Sequence, residues 1–252
     1  MLKLRFASPE MLVDINELPD LDYVVRDADG TIRVGALARH AQLEYSQVLA
    51  EHEPTMRSAA PLVADPIVRN RGTLVGSLCH ADPQGDWASV MVALDASVVA
   101  RSNRGTRSIG MKDLVSGPFQ NTLDADEIAI EAVVPAPQGV AAGGYLKLER
   151  RIGDFATAGV AVAVDRVGGN VVRAGIGLTG VGPSTISADE ASAALVGASL
   201  TGDSIGEVAE LAAQAAQPHS DHRGSADYKR HLIRVLTRRL LTGVTTAGEE
   251  AA

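Results

Sequence analysis

The sequence predicts an α+β fold in two parts. The first mixes strands and helices around a polar turn, and the second is a short antiparallel sheet backed by helices. Three observations lead there. Asp29-Gly30 lies between two short β-branched runs, a hairpin signal. Residues 135–144, PAPQGVAAGG, read as a linker. Beyond them the pattern changes, with strand-like runs first and helical runs last.

The elements follow in order. Residues 12–15 form a short apolar run that suggests a strand. Residues 23–26 and 32–35 flank Asp29-Gly30 as hairpin arms. Residues 41–45 and 53–63 read as helices, with Pro54 suited to an early helical position. After a Gly-Thr turn, Asp86 is placed to cap a helix running through Leu94, with Val90 and Met91 on its apolar side. Residues 97–100 and 106–109 make a strand pair around Asn103-Arg104-Gly105, and the strand at 127–134 stops at Pro135. Residues 145–148, 156–167 and 171–178 are strands, the last two joined at Gly168-Gly169-Asn170. Helices are expected at 188–195, 203–214 and 225–242. The last starts at Ser225 and ends in a basic turn, Arg238-Arg239, as the helix dipole favours. The domain reading is 1–136, a linker at 137–144, a second domain at 145–243 and a disordered tail at 244–252.

Composition narrows the function. The chain has 252 residues, 46% hydrophobic, enough for a sizeable core and one or two domains. A net charge of −8 argues against nucleic acid as the main partner, because phosphate neutralisation needs a basic face. Aromatics at 3% are too sparse for a base-stacking surface. The sequence has no apolar run of membrane-spanning length and no signal-peptide pattern, so the expected compartment is the cytoplasm. Cys79 is the single cysteine, which precludes an internal disulfide and a cluster held by four thiolates of this chain.

The most informative stretch is residues 69–86, RNRGTLVGSLCHADPQGD. Arg69 and Arg71 lead into Gly72-Thr73, Gly76-Ser77 follows, and His80-Ala81-Asp82-Pro83 makes a polar turn. Small residues allow close backbone approach, Thr73 and Ser77 supply hydroxyls, and the amides between them suit an anion. The pattern R-x-R-G-T-x-x-G-S-x-x-H-A-D-P before an apolar helix is long and ordered. Two other patterns carry less. Gly175, Gly177 and Gly180 match G-x-G-x-x-G, but inside a strand that runs toward Pro183, where no helix can follow. His219, Asp221 and His222 lack a second ligand cluster and read as solvated. No nucleophile–base signature is present, and Cys79 reads as a small buried residue.

The 69–86 pattern resembles the FAD-binding medium subunits of the molybdenum hydroxylase (xanthine dehydrogenase) family, most like those of the aerobic carbon monoxide dehydrogenases. YLKLERRIGDFATA at 145–158 looks like the family's strand and turn beside the flavin, and DHRGSADYKRHLIRVLTRRL at 221–240 looks like its C-terminal helix. The resemblance implies an N-terminally incomplete two-part FAD-binding (PCMH-type) domain, followed by a small antiparallel-sheet-plus-helices C-terminal domain. It places the FAD pyrophosphate against Arg71, Gly72, Thr73, Leu74, Val75, Gly76 and Ser77, with Val75 standing where a glycine is usual. Asp82 and Asp86 would accept hydrogen bonds from ribose or ring groups, or else serve a turn and a helix N-cap. Lys147, Arg151 and Asp154 would approach the isoalloxazine, where a cation stabilises the reduced anion, or else form a surface charge cluster. Tyr145 is expected in the core.

The resemblance also implies partners. A large subunit would hold a molybdenum–pterin site and a small one two [2Fe–2S] clusters, in a dimer of heterotrimers. This chain would pass electrons through FAD to an external acceptor, with carbon monoxide the leading substrate and aldehydes or N-heterocycles the alternatives. Family members carry an earlier Ala-Gly-Gly-His/Gln-Ser loop, whereas this sequence opens at Met1-Leu2-Lys3-Leu4-Arg5, so an upstream start is expected. A flavin-free assembly subunit is the second reading. A stand-alone oxidase of the vanillyl-alcohol type is the third, and no residue stands out for a covalent flavin link.

Overall fold

The computed structural model describes residues 4 and 8–249. The first sheet begins with the expected hairpin, β1 (Val24–Arg26) and β2 (Ile32–Gly35). Gly30 turns it at φ +96°, and Thr31 N–H donates to Asp29 Oδ1 at 2.9 Å. Helices α1 (His40–Glu44), α2 (Gln47–His52), α3 (Pro54–Ala59), α4 (Pro66–Arg69), α5 (Leu74–His80) and α6 (Asp86–Ala93) follow. Strands β3 (Ser97–Ser102) and β4 (Gly105–Gly110) form a second hairpin, and α7 (Met111–Leu114) leads to the small pair β5 (Val115–Gly117) and β6 (Gln120–Asn121). Strand β7 (Ile128–Val134) then returns between β2 and β3, which gives the antiparallel order β1-β2-β7-β3-β4.

The second sheet has the antiparallel order β11-β10-β9-β8, built from β8 (Val140–Leu148), β9 (Ala158–Val167), β10 (Asn170–Thr179) and β11 (Ile186–Ser187). Helices α8 (Asp189–Leu195), α9 (Gly202–Ala215) and α10 (Ala226–Glu249) complete the chain. Helix is expected of α9, since Thr201 and Ser204 form a reciprocal capping box. Ser225 Oγ accepts Tyr228 N–H at 3.1 Å at the start of α10.

Both faces of β9 are buried, and its alternation sorts them. Val160, Val162 and Val164 pack with residues of α8, α9 and α10, while Ala161 and Ala163 belong to the core of the first part. The small residues on that inner face let helices of the first part lie directly on the sheet. A Cβ on Gly175 would sit 2.0 Å from the Ala93 carbonyl oxygen, and one on Gly177 2.0 Å from that of Ser89. The G-x-G-x-x-G run is therefore the seat of α6 on β10.

Several expectations are corrected. Residues 12–15 form no strand, and Leu12 and Val13 are exposed without a sheet partner. The helix expected at 53–63 is α3 followed by a 3₁₀ turn at Ala60–Leu62, where Pro61 lacks the N–H to continue it. The expected linker at 137–144 holds the first half of β8. Its glycines serve close packing, for a Cβ on Gly143 would lie 2.1 Å from the Val162 carbonyl oxygen. Residues 244–249 of the expected tail continue α10, so Arg238-Arg239 is not its last turn. Residues 250–252, like 1–3 and 5 of the opening segment, lie outside the described residues.

Candidate cofactor cleft

Thr73 sets the local geometry of the Gly-Thr turn. It is the N-cap of α5, and its Oγ1 accepts the Gly76 N–H at 3.1 Å. A Cβ on Gly76 would lie 2.8 Å from that oxygen, and one on Gly72 would lie 2.9 Å from the His40 ring. Both glycines are thus needed for the turn as folded. The turn is tied to the start of α1, with His40 N–H donating to the Gly72 carbonyl at 3.0 Å and Arg39 Nη1 donating to the Arg71 carbonyl at 2.5 Å. An antiparallel bridge between Arg39 and Thr73 ties the two segments together, and the Val75 amide, in the first turn of α5, finds no acceptor among the described residues.

This turn forms one wall of a cleft of about 860 Å³ between the two parts of the chain. Arg71, Gly72, Thr73, Val75, Gly76, Ser77, Asp82 and Asp86 line it from the first part, and Gly153, Asp154 and Phe155 from the turn after β8. Of the expected site residues, Leu74 and Lys147 do not line it. Leu74 is fully buried in the core. Arg151 is exposed and outside the lining.

Asp86 is not an N-cap. Gly85 holds that position, and the Asp86 carboxylate turns inward. Its Oδ1 accepts the Tyr145 O–H at 2.6 Å and its Oδ2 accepts from Lys147 Nζ at 3.0 Å. Burial raises its pKa, opposed by Lys147 and the Tyr145 hydrogen bond. Lys147 is no surface cation, since its side chain is 1% exposed. Its Nζ also donates to the Asp154 carbonyl at 3.0 Å, so it stands behind two residues of the lining. Glu149 Oε2 lies 3.1 Å from Lys147 Nζ at an angle that makes an ion pair but no hydrogen bond.

Asp154 Oδ1 accepts the Phe155 N–H at 2.8 Å and faces Arg223 Nη2 at 3.3 Å; these hold its carboxyl below the usual range. Arg223 Nη1 also donates to the Phe155 carbonyl at 2.8 Å. Asp82 shapes its own turn, with Oδ1 accepting Gln84 N–H at 2.9 Å, and still faces the cleft. Tyr145 lies in the core as expected. Burial raises the Cys79 thiol to about 11, which keeps it protonated. Among the described residues no group of three or more His, Cys, Asp or Glu could hold a metal. No described helix is long and apolar enough to cross a membrane.

Sequence reasoning missed His40, Trp87, Phe155 and Arg223. The Trp87 indole N–H donates to His40 Nδ1 at 3.0 Å across 47 positions, and no local pattern announces such a pair. Arg223 sits inside the resembling C-terminal segment, but its partners lie 68 and 69 positions away.

A two-part α+β chain with a glycine-bearing turn of hydroxyl and amide donors facing a second domain across a cleft is a cofactor-binding subunit. The fit for a dinucleotide is carried by the close backbone approach at Gly72 and Gly76 and by the hydroxyls and the Val75 amide of the turn between them. Comparison with known proteins gives the family. Residues 1–137 match the FAD binding domain in molybdopterin dehydrogenase, and residues 144–244 match the CO dehydrogenase flavoprotein C-terminal domain. The chain is 34% identical to the carbon monoxide dehydrogenase medium chain of Hydrogenophaga pseudoflava over 241 residues, 96% of this chain and 84% of that protein. It is 37% identical to the 6-hydroxypseudooxynicotine dehydrogenase complex subunit alpha of Paenarthrobacter nicotinovorans, over 96% of this chain and 81% of that one. The solved carbon monoxide dehydrogenase of H. pseudoflava superposes with a TM-score of 0.92 at 36% identity, covering 98% of this chain and 85% of its counterpart. The chain belongs to the FAD-binding flavoprotein subunits of the molybdenum hydroxylases, and is an oxidoreductase subunit.

Proposed function

We propose that this chain passes electrons from two [2Fe–2S] clusters on a small partner subunit to an external acceptor, in a complex whose large molybdenum–pterin subunit oxidises carbon monoxide. The likeness to carbon monoxide dehydrogenase medium chains across both domains supports that substrate; the likeness to a 6-hydroxypseudooxynicotine dehydrogenase subunit makes N-heterocycle derivatives the nearest alternative. A dimer of heterotrimers in the cytoplasm is the assembly that goes with this reading.

The observation that carries it is the cleft between the 71–86 segment and the 153–155 turn. FAD, when bound, supplies the redox chemistry. Arg71, Gly72, Thr73, Val75, Gly76 and Ser77 would hold its diphosphate, with Leu74 anchoring the turn in the core. Asp82 faces the same cleft as an acceptor. Asp86, Lys147 and Asp154 would shape the flavin side, where Lys147 supplies a buried positive charge behind Asp86 and Asp154. No residue of this chain is asked to transfer a proton to substrate.

The test is the visible spectrum of the protein after incubation with FAD and desalting. Retained flavin is expected. Thr73→Val and Gly76→Leu should weaken retention while the second domain stays folded by circular dichroism. Thr73→Val also removes the α5 cap, a loss of about 1 kcal/mol. Unchanged flavin content in both variants would remove the 72–77 turn from the site, and a folded, colourless wild type would favour the flavin-free assembly subunit.

A further inference from the structure

His40 lines the cleft beside Gly72 and Thr73, and its backbone N–H holds the turn there. The residue is 4% exposed, and its ring lies beside that of Trp87, with centroids 6.1 Å apart and planes 24° from parallel. An indole N–H can only donate, so His40 Nδ1 carries the lone pair that accepts it at 3.0 Å. In the neutral ring the proton therefore sits on Nε2. Burial, with Arg69 nearby, lowers the ring pKa to about 4, which keeps this tautomer in place at neutral pH.

The Nε2–H meets no acceptor among the described residues. The ring edge that bears it lies against the glycine turn, since a Cβ on Gly72 would be 2.9 Å from both Nε2 and Cδ2. His40 N–H holds the Gly72 carbonyl at 3.0 Å, so ring and turn are positioned together. The residue lines the cleft, so this donor is open to a bound group there, and a charged acceptor suits it best. Arg71, Thr73 and Ser77, around the same turn, are also donor side chains suited to an anion.

We infer that His40 Nε2–H donates a hydrogen bond to a diphosphate oxygen of the bound dinucleotide, and that Trp87 is the positioning residue that selects the donating tautomer. This contact rests on the reading of the cleft as the FAD site. The close fit at Gly72 then serves this contact, since a side chain there would press on the imidazole edge.

The test uses the full chain with ¹⁵N-labelled histidine. The ring spectrum of the free protein should show His40 protonated at Nε2, and addition of FAD or ADP should shift that nitrogen. His40→Phe should weaken FAD and ADP binding about tenfold or more. His40→Gln, whose amide can donate from the same side, should recover most of it, and Trp87→Phe should give a mixed tautomer pattern with a smaller loss. FAD binding that leaves the His40 ring unmoved, or His40→Phe binding FAD like the wild type, would overturn the contact while the FAD site stands. A wild type that takes up neither FAD nor ADP would overturn the site and the contact together. If His40→Phe fails to fold, the wild-type titration decides.

Discussion

Burying Asp86 and Lys147 together makes each depend on the other. Removing one partner of a buried pair leaves an uncompensated charge, at a cost of about 3–5 kcal/mol. Lys147→Met should fall at the lower end, because Asp86 can take up a proton. Its raised pKa in the folded state then means that stability is greatest at low pH and is lost as pH rises through that pKa. Urea unfolding of Lys147→Met from pH 4 to 8 should show this slope; a pH-independent deficit would mean that the charge of Asp86 is met elsewhere. Glu53 gives a second pH effect in the wild type. It caps α3 by accepting Thr55 N–H at 3.1 Å, and burial, outweighing that bond, raises its pKa to about 7 from 4.5. Its contribution is complete below pH 4.5 and is lost as pH rises through about 7. His40 runs the other way, complete above 6.5 and lost as pH falls through about 4. Above pH 6.5 Glu53 acts without this opposition, so Glu53→Gln, which keeps the cap acceptor, should be more stable than wild type at pH 8 by up to about 3 kcal/mol. Equal melting temperatures at pH 8 would contradict the burial argument. At this scale the sequence showed Thr73, Gly76 and Ser77, because turn chemistry is local. It did not show that Asp86 faces Tyr145 and Lys147, 59 and 61 positions away, so a local N-cap was the natural alternative.

Elements with local signals were legible, and those defined by packing were not. Asp29-Gly30 and Gly168-Gly169 produce hairpins because positive φ at glycine suits tight turns, and the structure has Gly30, Gly168 and Gly169 in that region. Helices α2 and α4 are too short for periodicity to reveal. The strand expected at 12–15 had the right composition and no partner. Glycine was the most ambiguous residue, since flexibility and close approach read alike in sequence. Gly143, within a stretch that looked like a linker, sits against the Val162 carbonyl, and Gly175 and Gly177 sit under α6. Gly175→Ala or Gly177→Ala must therefore lift α6 from β10 by moving backbone. Each should cost about 1–3 kcal/mol or more as overpacking. Gly202→Ala, in the first turn of α9 with nothing near its Cβ, is the matched control, and should be neutral or stabilising by a few tenths to about 1 kcal/mol. Chemical denaturation of the three variants decides it; comparable losses at Gly175 and Gly202 would show that conformational freedom, and not packing, sets the requirement.

The two parts of the chain are not independent bodies joined by a tether. The second sheet is covered on one face by its own helices and on the other by α3 and α6 of the first part. Ser58 Oγ of α3 accepts the Tyr145 N–H at 2.7 Å, and Gly180 N–H donates to the Pro83 carbonyl at 2.9 Å. The cleft is thus a seam whose width depends on how its far wall is held. That wall is the 153–155 turn, and its brace is Arg223, 11% exposed, just before α10. The segment that resembled the family's C-terminal helix therefore reaches the cofactor cleft through one guanidinium. Composition and periodicity could predict two parts, but not this brace, because it joins loops 68 positions apart. Arg223→Ala removes the donor to the Phe155 carbonyl and the cation beside Asp154. Charge-assisted bonds of this kind contribute about 1.5–3 kcal/mol, so FAD affinity should fall about tenfold if most of that energy keeps the turn in place. The loss should be accompanied by faster amide hydrogen exchange at residues 153–155 and unchanged exchange in α5. Weaker binding with protected 153–155 amides would place the effect of Arg223 on long-range charge, and unchanged affinity with faster exchange would show that the far wall orders itself only when the cofactor is bound.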